Sequence, residues 1–173
     1  MAPVGQREEE RYMPVKVLFV CTGNICRSPI AQGVFEDLVQ REGLEEQVAS
    51  DSAGTLSYHA GSSPDRRARR AASARGIDLD SQRARQISPE DMSEFDYVVV
   101  MDRGNYEEVL PLTGRDETRA RFGMFLDYAP QLSDEEIPDP YFCNGDGFER
   151  AMDLAEAASE GLLADIKRRY LGG

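Results

Sequence analysis

The sequence predicts an α/β fold, a single three-layer domain with a four-stranded parallel sheet flanked by helices. Short apolar runs at 15–20 and 97–101 are almost uninterrupted, as suits strands buried on both faces of a parallel sheet. Segments with helical spacing alternate with these runs, which calls for parallel rather than antiparallel pairing. The 173 residues are enough for one core, and 40% hydrophobic with 30% charged residues is the balance of an ordinary globular chain.

Residues 1–13 are polar and rich in Glu and Arg and read as a flexible N-terminal extension; residues 14–173 read as the domain. The first strand covers 15–20, broken only by Lys16. After the loop 21–28 a helix begins, with Ser28 as N-cap and Pro29 at the first helical position. Ile30, Val34 and Leu38 then recur every four residues, and Gly43 ends the helix. A second strand is expected at 47–52, before a long loop through Gly54, Gly61 and Pro64. The Ala- and Arg-rich stretch 65–75 reads as a helix closed by Gly76. A third strand at 97–101, a helix at 105–110 and a fourth strand at 122–126 follow. Phe148, Met152, Ala155, Leu162, Ile166 and Tyr170 mark the last helix, with Asp146 and Glu149 spaced as a capping box.

Net charge is −12, from 32 acidic and 20 basic residues, which disfavours nucleic acid and anionic membranes as partners. No apolar run approaches the roughly 20 residues that span a bilayer, and the first residues lack the apolar stretch of a signal peptide. The expectation is a cytoplasmic monomer. Three cysteines and one histidine give neither a disulfide framework nor a metal site, so reactive thiol chemistry is the better use of Cys21 and Cys26.

Cys21 to Ser28 lie where ligands bind in such sheets, beyond the carboxyl end of a strand and before a helix. Backbone N–H groups and the helix dipole there suit a phosphate dianion and an attacking thiolate. Thr22, Gly23, Asn24, Ile25, Cys26 and Ser28 are the candidate phosphate cradle. Gly23 and Asn24 tolerate the positive φ that such a loop needs, and Arg27 offers a planar grip on two phosphate oxygens. Cys21 is thus a candidate nucleophile, and Ser28 a donor that makes its sulfur a better leaving group. The cradle supplies the compensating charge, so neither metal nor cofactor is expected. Expelling an alkoxide or phenoxide is helped by a proton donor. Asp139 stands between Pro138 and Pro140, which hold it in a stiff extended loop and aim its carboxyl over a pocket, clear of its own backbone.

With these pieces the chain resembles the low-molecular-weight protein tyrosine phosphatases, from about Val15 to the final helix. The run Cys21-Thr22-Gly23-Asn24-Ile25-Cys26-Arg27-Ser28-Pro29 looks like that family's phosphate loop. Asp51-Ser52-Ala53-Gly54-Thr55, Ala84-Arg85-Gln86-Ile87, Met101-Asp102 and Asp139-Pro140-Tyr141 match it in order. The resemblance implies hydrolysis of phosphotyrosine in protein substrates through a cysteinyl-phosphate, with Cys21 as nucleophile, Arg27 as clamp and Asp139 as acid. It implies that Asn24, Ser28 and Ser52 brace the loop, and that Tyr58 and Tyr141 wall the substrate ring. It also implies that Cys26 can form a protective disulfide with Cys21. His59 receives no catalytic role, and Asp102 is read as a helix N-cap only. Phe142 stands where many members have a second Tyr, and Cys143 where Gly is common.

Two other activities share this fold. An arsenate reductase needs further cysteines near 80–95, where there are none. Protein arginine phosphatases usually carry Thr where this chain has Ile25, and an apolar side chain there favours an aromatic phosphate.

Overall fold

The computed structural model describes residues 13–114, 117–142 and 146–172. Four strands, β1 (Val15–Cys21), β2 (Val48–Gly54), β3 (Tyr97–Val100) and β4 (Arg121–Met124), form one parallel sheet in the order β2-β1-β3-β4. The helices are α1 (Arg27–Arg41), α2 (Arg66–Ser73), α3 (Asp91–Glu94), α4 (Arg103–Val109) and α5 (Gly147–Tyr170). Short 3₁₀ turns lie at Leu110–Leu112, Phe125–Tyr128 and Pro140–Phe142.

Strand alternation sorts the core into two layers. Val17, Phe19 and Cys21 face the layer made with α1, α2 and α5, while Leu18 and Val20 face the layer holding Met92, Phe95 and Val109. Phe19 is fully buried at the centre of the first layer, edge-on to Phe35 and Phe125 with ring centroids 5.4 and 5.1 Å apart. Burial on both faces explains why β1 and β3 are continuous apolar runs. The central pair is also what aims the chain: β1 delivers Cys21 at its carboxyl end, in register with Gly54 of β2.

Several sequence expectations shift. Ser28 is not the N-cap; that position falls on Cys26, without a side-chain cap, because the Ser28 hydroxyl is turned back toward Cys21 and Asn24. The capping box at Asp146 and Glu149 does not form, since Asp146 makes no capping bond and Glu149 instead accepts from Arg75 at 2.8 Å. The second helix stops at Ser73, and its true cap is Asp65, whose carboxylate accepts from the Arg67 N–H. The fourth strand is earlier and shorter than expected because Phe125–Tyr128 turns under α5. There the contact is so close that a Cβ on Gly161 would stand 1.7 Å from the Tyr128 carbonyl oxygen. The helix α3 has too few residues to show periodicity and was not expected. Most of the proposed extension, and Cys143, lie outside the described residues. Among those described, no helix is long and apolar enough to cross a membrane.

Candidate active site

At the carboxyl end of β1 the chain turns through residues 22–26 into α1. Thr22, Gly23, Ile25, Cys26 and Arg27 join Cys21, Leu56, Tyr58, His59, Asp139 and Tyr141 around a pocket of about 290 Å³. The loop holds its shape through Asn24, the one non-glycine residue with positive φ (57°) among those described. Its amide nitrogen donates to Ser28 Oγ (2.8 Å) and Ser52 Oγ (2.9 Å), and its oxygen accepts from the Arg85 N–H (3.0 Å). Asn24 and Ser28 therefore stand behind the loop, fully buried, rather than in the pocket. Gly54 makes this tight approach possible, because a Cβ there would stand 2.7 Å from the Thr22 oxygen.

The Cys21 sulfur lies 3.0 Å from Ser28 Oγ. That oxygen accepts from Asn24, and its own hydrogen has two acceptors in reach, the sulfur at 3.0 Å and the Ala53 carbonyl at 3.5 Å. Cys21 and Cys26 are both free thiols. Burial pushes the Cys26 thiol well up, with Asp65, Cys21 and Asp139 adding to it, so Cys26 stays a protonated neighbour.

Arg27 is 3% exposed and held at both ends of its guanidinium. Nη1 donates to Asp102 Oδ2 (2.5 Å) and to the Ile137 carbonyl (3.0 Å); Nη2 points to Thr22 Oγ1 (3.4 Å). Burial alone would lower its pKa, but the Cys21 charge and the Asp102 hydrogen bond raise it. Asp102 is indeed the N-cap of α4, accepting from the Asn105 N–H at 2.7 Å, yet its second oxygen is the Arg27 anchor. The N-cap reading alone missed this role. A carboxylate at the end of a strand beside the cysteine loop was the available signal; a partner 75 residues away was not visible in sequence. Asn105 completes the frame by donating to Thr22 Oγ1 (3.1 Å).

Asp139 enters the same pocket from the opposite side, its Oδ2 3.8 Å from Arg27 Nη2. Its carboxyl is not clear of its own backbone as the sequence suggested: Oδ1 accepts from the Tyr141 N–H at 3.0 Å, the short-range turn bond to which aspartate is prone. The loop is fixed by Ile137, which is buried, donates its N–H to the Met101 carbonyl (2.9 Å) and gives its own carbonyl to Arg27. Tyr141 lies under the Arg67 guanidinium, 5.2 Å from the ring centroid. Tyr58 is 86% exposed and meets His59 edge-on. His59, given no role in sequence, packs over the loop: a Cβ on Gly23 would stand 3.1 Å from its ring.

A family model described as low molecular weight phosphotyrosine protein phosphatase matches residues 16–170. A Bacillus subtilis low molecular weight protein-tyrosine-phosphatase is 37% identical over 154 residues, covering 89% of this chain and 97% of its own. The structure of an Entamoeba histolytica protein tyrosine phosphatase superposes with a TM-score of 0.84 at 38% identity, covering 89% of this chain and 97% of that one. A Drosophila arginine phosphatase superposes with a TM-score of 0.82 at 31% identity, covering 88% and 98%.

Proposed function

We propose that this chain, which belongs to the low molecular weight phosphotyrosine protein phosphatase family and is a cysteine-dependent protein tyrosine phosphatase, works through Cys21, Arg27 and Asp139. One observation carries the assignment: a sulfur and a doubly anchored guanidinium from one loop, and a carboxyl from a distant segment of the chain, line one pocket. The Cys21 thiolate attacks phosphorus, forming an S–P bond as the P–O bond to the tyrosine breaks, and Asp139 gives its proton to the departing phenolate oxygen. Arg27 and the loop stabilise the equatorial oxygens as charge gathers there. Asp139 then takes a proton from water as that water attacks phosphorus, and the S–P electron pair returns to sulfur. The Ser28 hydroxyl, 3.0 Å away, donates to the leaving thiolate.

Ile25 and the Tyr58 and Tyr141 rings on the pocket wall favour an aryl phosphate over phosphoarginine. The decisive assay sets a phosphotyrosine peptide against phosphoarginine, with a chelator present. Faster turnover of phosphoarginine would overturn the substrate assignment. Asp139→Asn is expected to cut turnover of phosphotyrosine by about 10²–10⁴-fold. It should cut far less for an aryl phosphate with an electron-withdrawing substituent, whose phenolate leaves without a proton. Equal losses on both substrates would remove Asp139 from the acid role.

Asp102→Asn is expected to keep the α4 cap, since asparagine caps as well as aspartate, while removing the charge that orients Arg27. A loss of roughly 10–100-fold in kcat/KM, with the melting temperature little changed, marks a positioning residue. Parallel losses of stability and activity would make it structural only.

A further inference from the structure

A second concavity, of about 630 Å³, is lined by Arg66, Arg69 and Arg70 of α2 and by residues 76–80. Its floor is aliphatic, with Ile77 and Leu79 buried. Three arginines at positions i, i+3 and i+4 share one helix face in a chain of net charge −12. Arg69 is committed to the Pro64 carbonyl (3.1 Å) and to Asp80 (3.7 Å). Arg66 and Arg70 are exposed, and their side chains make no hydrogen bond or ion pair among the described residues. The nearby acids are occupied: Asp78 accepts the Asp80 N–H at 2.8 Å, and Asp80 faces Arg69.

The first turn of α2, whose outer face carries the groove arginines, is tied to the pocket. Asp65, its cap, donates its N–H to the Ile25 carbonyl in the cysteine loop at 2.7 Å. Arg67, on the adjoining face, donates to the Tyr141 carbonyl at 3.3 Å and covers its ring. A protein chain whose phosphotyrosine occupies the pocket therefore has the arginine face beside it.

We infer that this groove receives an acidic stretch flanking the phosphotyrosine of the protein substrate, an inference that rests on the phosphatase reading above. Against a net charge of −12, two free guanidinium groups here offer forked grips on carboxylates. Arg66 and Arg70 are about 6 Å apart along the helix axis. Alternate side chains of an extended peptide repeat at about 6.6 Å, so two glutamates at i and i+2 match the arginine pair.

The test uses three phosphotyrosine peptides of equal length: one neutral, one with Glu at alternate positions before the phosphotyrosine, and one with Glu after it. One acidic peptide is expected to be hydrolysed with a kcat/KM about five- to tenfold above the neutral peptide, through KM, with the advantage fading as salt rises. Arg66→Gln with Arg70→Gln should erase that advantage and leave the neutral peptide and a small aryl phosphate unchanged. Arg41→Gln with Lys167→Gln, which changes net charge equally at the far end of α1 and α5, should keep it. Equal rates on all three peptides, or an advantage that survives the Arg66/Arg70 variant or vanishes in the distal control, overturns the inference. Absence of turnover on the neutral peptide by the wild type is a different result, and it strikes the phosphatase reading itself.

Discussion

Cys21→Ser is expected to lower phosphotyrosine hydrolysis by roughly 10⁴-fold or more while leaving the fold and phosphate binding in place. Serine is close in size to cysteine, and its hydroxyl can keep the contact with Ser28 Oγ, so the buried end of β1 has no cavity to absorb. What is lost is the thiolate, the only group at that point of the loop able to form a covalent bond to phosphorus under mild conditions. The check pairs single-turnover hydrolysis with the melting temperature in rising inorganic phosphate. Retained phosphate stabilisation with abolished turnover separates chemistry from binding. Turnover within tenfold of wild type would show that the sulfur is not the nucleophile.

Arg27→Lys tests the other half of the site and gives the opposite pattern. Lysine keeps the charge beside Asp102, yet it cannot reach Asp102, the Ile137 carbonyl and Thr22 together while also gripping two phosphate oxygens. A loss of about 10²–10³-fold in kcat/KM is expected, the scale of removing one directed donor from a developing negative charge. Phosphate should also cease to stabilise the variant. Because Arg27 Nη1 holds the Ile137 carbonyl, the Asp139 loop loses an anchor too. The Asp139→Asn effect should therefore shrink when measured on the Arg27→Lys background, as expected for groups that act as a unit. Fully additive losses would mean that the two residues work independently.

Much of the site was legible because it is local. Cys21 to Ser28 is one loop between a buried strand and a helix, and Asp139 is framed by its own prolines. The strands were legible for a similar reason: β1 and β3 are buried on both faces, so their composition alone marks them. Where a side chain had two possible uses, sequence chose the local one. Glu149 fits a capping box in sequence and binds Arg75 in the fold; Ser28 fits both a cap and a donor to the cysteine, and of the two only the contact with Cys21 forms. Asp102 had both uses at once, with one oxygen for each.

The order of residues by itself determined the α/β alternation, the cysteine loop and the chemical character of its members, since these depend on neighbours in the chain. It could not determine that Asp102 grips Arg27, that Arg85 supplies an N–H to Asn24, or that Ile137 ties the Asp139 loop to Met101, just past β3, and to Arg27 at once. Those contacts join segments tens of residues apart, and they exist only because parallel pairing brings the carboxyl ends of β1, β2 and β3 to one edge. Residue types set which hydrogen bonds are possible, and the sheet decides which partners lie within 3 Å.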